Sequence, residues 1–306
     1  MPIVIEKEPA YEVLTNERHF VIDRDRAVSD TIRPMEIALL NLVPTNDNTE
    51  AQFMRLLSNS PLPVNVTLVR TSVCDADNTD NARLNAFYKT FKEIKGLKFD
   101  GMIITGTPVA NMPFKKSTYG KELSEIFNWT KSNVNSTLFA CWGAQIALRY
   151  FYGIKKHPLK EKCFGVFLHQ RVRDGVTEPL MQGISDEFPM PHSRHTIIYA
   201  KDVLDVNELK ILAYSKRAGA SIIKSCDNRQ VFVTGHMEYD RYTLKHEYER
   251  AIEQGLEIKP PVNYFTDNNM NEVRMNWPST ANLFYINWLN YCVYQANSQY
   301  NNLTEQ

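Results

Sequence analysis

The sequence predicts an α/β fold: an open, mostly parallel sheet with helices on both faces. Three observations carry that expectation. Short apolar runs alternate with segments of helical period over about 120 residues, the pattern of βαβ units. The run before Pro44 is continuously apolar, as a central parallel strand buried on both faces requires. At Cys141 an apolar run turns abruptly into a helical pattern, and sheets of this kind place ligands at the carboxyl ends of their strands.

In order, residues 1–32 are polar and mixed, with Asp23-Arg-Asp-Arg26, and read as an extended lead-in. Arg33 to Pro44 is the first core strand. Thr49 to Ser58 puts Phe53, Leu56 and Leu57 on one helical face with Thr49 as a cap, and Ser60-Pro-Leu-Pro63 ends it. Val64 to Thr71 reads as a second strand, and Asn81 to Lys95 as an amphipathic helix. Phe99 to Pro108 is a third strand closing in the Gly/Pro turn Thr105-Gly-Thr-Pro108, and Thr118 to Val134 is helical. Ser136 to Ala140 is a buried strand that runs straight into a helix from Trp142 to about Tyr152.

Beyond Gly153 the pattern weakens. Cys163 to Val172 looks like a strand, and Pro189 to His195 like a polar turn. Arg229 to Asp240 contains a strong strand ending at Gly235-His236, followed by a helix from about Tyr242 to Gln254. Pro260 to Phe265 is loop-like, Ala281 to Tyr294 is a terminal aromatic helix, and 298–306 is a frayed tail. No repeat, low-complexity tract or linker interrupts the chain, so a single domain over 1–306 is expected.

Composition narrows the function. Thirty-five basic and thirty-five acidic residues cancel, which gives no field to hold nucleic acid or an anionic membrane. No apolar run approaches the ~20 residues of a membrane helix, and the first residues lack a signal-peptide core, so a cytoplasmic protein is expected. The five cysteines (74, 141, 163, 226, 292) form no C-x-x-C pair, so neither a disulfide framework nor a metal site is suggested.

The chemistry centres on Cys141. A strand-to-helix elbow lifts the joining side chain out of the packed layers and aims free helix N–H groups at it. Such a place favours an anion, which for a cysteine is the reactive thiolate. Gly143 leaves room for the tight bend, as in the G-x-S-x-G elbow, although Phe139 stands where that motif has its first glycine. A buried structural cysteine fits the same stretch. A nucleophilic cysteine needs a base and a group to orient it. His236 and Glu238, spaced i, i+2 beyond another strand end, supply both types. A turn histidine bonded to backbone is the alternative. The backbone N–H of Trp142, with one from the turn after Thr105, is placed to hold a tetrahedral oxyanion.

Other motifs are incomplete. His246-Glu-Tyr-Glu-Arg250 starts like H-E-x-x-H but lacks the second histidine. No Walker loop or G-x-G-x-x-G is present, and His192 and His195 sit in what reads as a surface turn.

Taken together the motifs resemble the homoserine O-acyltransferase family (succinyltransferase and acetyltransferase) of the class I glutamine amidotransferase-like fold, the short type called homoserine transsuccinylase. The matching stretches include Thr49-Glu-Ala-Gln-Phe, Phe99-Asp-Gly-Met-Ile-Ile-Thr-Gly-Thr-Pro, Ser136-Thr-Leu-Phe-Ala-Cys-Trp-Gly-Ala-Gln, Pro191-His-Ser-Arg and Phe232-Val-Thr-Gly-His-Met-Glu-Tyr-Asp. They run in order to about Gln295. The resemblance implies that Cys141 is the nucleophile that carries the acyl group, His236 the base and Glu238 its orienting acid. It implies that Lys162 contacts substrate, that Ser193 bears on specificity, and that Arg250 holds the amino acid's carboxylate. It also implies an acyl-CoA co-substrate, succinyl-CoA or acetyl-CoA, with no bound cofactor and no metal. The partners implied are small molecules; a homodimer stays open.

The chain departs from the family pattern at several points. At the position where Glu goes with acetyl donors and Gly with succinyl donors it has Ala110, which neither repels nor attracts a succinyl carboxylate. Thr107, Met237 and Ala251 replace the usual Ala, Pro and Asp. L-Serine in place of L-homoserine as acceptor is therefore a second reading. A glutaminase-like hydrolase, with water as acceptor, and a non-catalytic binding protein are the others.

Overall fold

The structure, a computed structural model, describes residues 3–4, 9–16, 21–22, 33–43, 47–72, 84–106, 120–172, 178–267 and 269–295. Its N-terminal elements are β1 (Ile3–Val4), α1 (Pro9–Asn16), β2 (Val21–Ile22), β3 (Met35–Leu40), α2 (Asp47–Leu57) and β4 (Val64–Arg70). The chain continues through β5 (Lys89–Thr90), α3 (Phe91–Ile94), β6 (Phe99–Ile104), α4 (Gly120–Asn133), β7 (Val134–Ala140) and α5 (Trp142–Tyr152). Then come β8 (His157–Arg171), β9 (Glu187–Ile197), α6 (Ala200–Leu204), β10 (Leu209–Ser215), β11 (Gly219–Ser225) and β12 (Gln230–Val233). Last are α7 (Thr243–Glu253), α8 (Pro278–Asn287) and a π-helix, Trp288–Tyr294.

One sheet runs through all of it, in the order β2-β1-β4-β3-β6-β7-β12-β11-β10-β8-β9, with β5 beside β4. From β2 to β12 every pairing is parallel. Beyond β12 the sheet turns antiparallel. The mostly parallel α/β fold is as the sequence predicts. Side chains alternate across it: Ile37 and Leu39 pack with α2, α8 and the π-helix, whereas Ala38 and Leu40 pack with α4 and α5. Both faces are thereby covered.

Several expectations are corrected. The lead-in holds a helix and two parallel strands rather than an extended segment alone. Helix α2 starts at Asp47, so Thr49 lies inside it and is no cap. The single helix expected over Asn81 to Lys95 is broken: residues 84–87 are helical, then β5 intervenes. Thr90 restarts the chain as α3 through a capping box with Glu93, whose carboxylate accepts from Thr90 N at 2.7 Å. The strand of Cys163 to Val172 begins earlier, at His157. The terminal helix divides where Trp288 leaves the α-helical path and its indole donates to Ser136 Oγ at 3.1 Å.

The largest correction is Pro189 to His195. It is not a surface turn but the middle of β9, paired with β8 in the register Cys163↔Arg194, Phe164↔Ser193, Gly165↔His192. His192 and Arg194 are buried because they satisfy each other: Arg194 Nε donates to His192 Nδ1 at 3.2 Å. The 298–306 tail lies outside the described residues. Among those residues no helix is long and apolar enough to cross a membrane.

Candidate active site

The parallel register fixes the site. Ile104 of β6 pairs with Phe139 of β7, and Ala140 of β7 pairs with Val233 of β12. Three neighbouring strands therefore end at one level, and the residues just beyond them are Thr105, Cys141 and Thr234 to His236. Residues almost a hundred positions apart meet because β7 and β12 are adjacent.

Cys141 is the elbow. Its φ of 48° is on the left-handed side, unusual for a residue with a Cβ, and ψ is −112°. Two hydrogen bonds hold that conformation: Cys141 N donates to Val233 O at 2.7 Å, and Gln145 N donates to Cys141 O at 3.2 Å. The bend also needs Gly143, where a Cβ would come within 2.7 Å of Thr105 O. Gly106 faces the elbow, so that a Cβ there would lie 3.2 Å from Cys141 Cβ and 3.3 Å from Trp142 N. The turn after β6 is thus pressed against the start of α5, where the first N–H groups are free of helical partners. Cys141 is nearly but not wholly covered, 8% exposed.

His236 Nδ1 lies 2.6 Å from Glu238 Oε1, and the imidazole is close enough to Cys141 for the sulfur to act on its charge. Burial alone would lower the imidazole's pKa. The Cys141 sulfur and the Glu238 carboxylate override that and hold it well above the usual histidine value. His236 N donates to Pro191 O at 2.9 Å, which ties this residue to β9. Gly235 permits this approach, because a Cβ there would meet the Met190 sulfur at 2.3 Å and the His192 ring at 2.8 Å.

The residues singled out as substrate contacts also meet. Ser193 Oγ donates to Glu247 Oε2 at 2.5 Å, and Lys162 Nζ lies 3.9 Å from the same oxygen. Lys162 further stands over the Phe164 ring at 4.1 Å. Burial lowers its pKa, Glu247 opposes that, and Arg250 nearby adds to the lowering. Arg250 is exposed, three residues along α7 from Glu247 and so on the same face. Ala110, which the resemblance ties to donor choice, lies outside the described residues.

Sequence reasoning missed Glu247 and Tyr239. Tyr239 stacks on His236, with ring centroids 4.1 Å apart and planes 19° from parallel, and its hydroxyl donates to Glu247 Oε1 at 2.6 Å. The signal for Glu247 lies in His246-Glu-Tyr-Glu-Arg250, an acid one turn before the arginine. Among the described residues no group of three His, Cys, Asp or Glu could hold a metal ion.

A thiol, an imidazole and a carboxylate in series, facing the start of a helix, can carry out acyl transfer through a thioester. Comparison with known proteins adds the family. A family model described as homoserine O-succinyltransferase matches residues 2–299. A homoserine O-acetyltransferase of Geobacillus kaustophilus is 50% identical over 297 residues, covering 96% of this chain and 98% of that protein. One of Acetivibrio thermocellus is also 50% identical, covering 96% and 97%. In solved structures the fold is similar to a glutamine amidotransferase from Thermotoga maritima, with TM-score 0.55 at 9% identity over 86% of this chain and 99% of that one. It is likewise similar to a putative GMP synthase subunit from Thermoplasma acidophilum, with TM-score 0.54 at 13% identity over 90% and 99%.

Proposed function

The chain belongs to the homoserine O-succinyltransferase family, and from that premise we propose that it acylates the side-chain hydroxyl of L-homoserine through a thioester on Cys141, with acyl-CoA as donor. The activity serves methionine biosynthesis. One observation carries the mechanism: Cys141, His236 and Glu238 come together at the ends of adjacent parallel strands, with His236 Nδ1 2.6 Å from Glu238 Oε1.

The Cys141 thiolate attacks the thioester carbonyl of acyl-CoA. Negative charge moves to the carbonyl oxygen, and the Trp142 N–H, with one from the turn at Gly106, stabilises it. The C–S bond to CoA breaks, and the protonated His236 gives its proton to the leaving thiolate. The acceptor then enters. Its hydroxyl passes a proton to His236 as its oxygen attacks the enzyme thioester, and Cys141 leaves as thiolate. Glu238 keeps the proton on Nδ1 of His236 throughout, so the other nitrogen does the exchanging.

Glu247 and Arg250 are the groups we assign to the acceptor. A carboxylate and a guanidinium one turn apart match the ammonium and carboxylate of an amino acid. Lys162 and Ser193 hold Glu247 from its other side. Water as acceptor has no use for such a pair, which favours transfer over hydrolysis. The names of the two relatives above favour an acetyl donor and a homoserine acceptor.

The deciding experiment assays acetyl-CoA and succinyl-CoA against homoserine and serine. Acyl-CoA alone should release CoA in a burst equal to the enzyme present, and Cys141→Ala should lack it. Full turnover by Cys141→Ala, or release of ammonia from glutamine at a comparable rate, would overturn the reading.

A further inference from the structure

We propose that Tyr239 is a positioning residue that couples acceptor recognition to the general base, its ring fixing the His236 imidazole and its hydroxyl fixing the Glu247 carboxylate. The inference rests on the reading that Glu247 and Arg250 hold the acceptor amino acid.

Glu238 pins His236 at one atom only. One hydrogen bond leaves the ring free to tilt about the line between the two residues. An aromatic face 4.1 Å from the imidazole and nearly parallel to it removes that freedom on one side. Tyr239 is itself held, because its carbonyl accepts from Trp277 Nε1 at 2.9 Å and Trp277 is buried. A fixed ring therefore backs the base.

The same side chain reaches the acceptor site with its other end. Its hydroxyl donates to one oxygen of Glu247, and Ser193 donates to the other. These two donors set the plane of the carboxylate and so the place where an ammonium can sit. Burial first, and then the nearby carboxylates Glu247 and Glu238 with Cys141, hold the Tyr239 hydroxyl's pKa well above 10, so it remains a donor across the working pH range. The acceptor's ammonium anchor and the atom that takes its hydroxyl proton are then both referred to one rigid side chain. The acyl donor needs only the ring, since CoA is released before the acceptor is used.

The two ends can be separated by substitution. Tyr239→Phe keeps the stack and removes the hydroxyl; Tyr239→Leu removes both. Rapid-quench measurement of CoA release from acetyl-CoA alone reads the first half-reaction, and the homoserine KM of full turnover reads the second. Tyr239→Phe should raise the homoserine KM about tenfold while changing CoA release less than twofold. Tyr239→Leu should in addition slow CoA release about tenfold. An unchanged homoserine KM in Tyr239→Phe, or an equal fall in both half-reactions, overturns the coupling. Because Phe preserves the packed ring, a fold defect in Tyr239→Leu does not blunt the test. Glu247→Gln separates the coupling from its premise. If it too leaves the homoserine KM unchanged, the acceptor site is misassigned. If it raises that KM and Tyr239→Phe does not, only the coupling fails.

Discussion

The imidazole of His236 stands between two partners: Nδ1 lies 2.6 Å from Glu238 Oε1, and the Cys141 sulfur is close enough to raise its pKa. All three residues are less than a tenth exposed. A buried carboxylate in that place does two things. It selects the tautomer that leaves the other nitrogen free to accept, and it stabilises the imidazolium once the proton arrives.

Glu238→Gln keeps the shape and removes the charge. The amide can present either a donor or an acceptor to Nδ1, so the wrong tautomer becomes accessible. Turnover should fall about 10²- to 10⁴-fold with little change in the KM of either substrate. Steady-state kinetics in both substrates check this. A variant with kcat within fivefold of the original protein would remove Glu238 from the mechanism.

The elbow depends on backbone contact as much as on Cys141. Adding a Cβ at Gly143 places it 2.7 Å from Thr105 O and 3.0 Å from Ile104 O, both main-chain atoms at the end of β6. Main chain in a central strand cannot move aside, so α5 must shift and carry the Trp142 N–H away from the proposed oxyanion position. Gly143→Ala should cost about 1–3 kcal/mol of stability, the usual penalty for overpacking. It should also lower the rate of CoA release at substrate saturation. Denaturant unfolding and burst kinetics measure the two effects separately.

The parts of this site carried by local pattern were legible in the sequence. An apolar run stopping at Cys141 and another stopping before His236 mark strand ends, and the parallel sheet brings such ends together. What was not legible was set by tertiary partners. His192 and Arg194 look like surface polarity, yet each is buried because the other completes its hydrogen bonds, with backbone carbonyls of Thr196 and Ala218 taking the rest of the guanidinium. The β10–β11 pair was unreadable for a related reason. Lys210 and Lys224 break its apolar pattern, but Lys224 is buried against Glu178, 2.8 Å away. Tyr239 and Glu247 are eight residues apart and ordinary in type; only the fold makes them neighbours.

His236 also ties stability to pH. Its pKa is held above the unfolded value, so the folded state binds the proton more tightly. That contribution is fully present below the unfolded pKa of ~6.5 and is lost as pH rises through the folded value. His236→Gln cannot titrate. The stability lead of the original protein over His236→Gln should therefore be largest near pH 6 and shrink steadily toward alkaline pH. Urea unfolding at closely spaced pH values reads this difference. A lead that grows with pH would contradict the proton-binding role assigned to the pair.

Two buried histidines act with the opposite sign. His169 is held down to about pKa 4, first by burial and then by the Arg194 charge, against a raising hydrogen bond to Phe167 O. His192 is also pushed well below the usual histidine value, by burial first and then by Arg194, His169 and His236. Their ring nitrogens lie 3.0 Å apart and the His192 ring is nearly parallel to that of His169, so neither can take a proton without repelling the other or the guanidinium. In the unfolded chain both titrate near 6.5. Between that value and pH 4 the unfolded state binds more protons than the folded one, and stability falls as pH falls. For His169 alone the full shift corresponds to about 3 kcal/mol. His169→Gln removes that titration while keeping a polar side chain within reach of Ser221, whose hydroxyl lies 3.0 Å from the ring in the original protein. The variant should be less stable at neutral pH, yet lose less on acidification from pH 7 to 4.5. The two unfolding curves should converge at the acid end. Parallel curves over that range would mean that His169 takes its proton in the folded protein as readily as in water, and would remove the buried pair as the cause of acid lability.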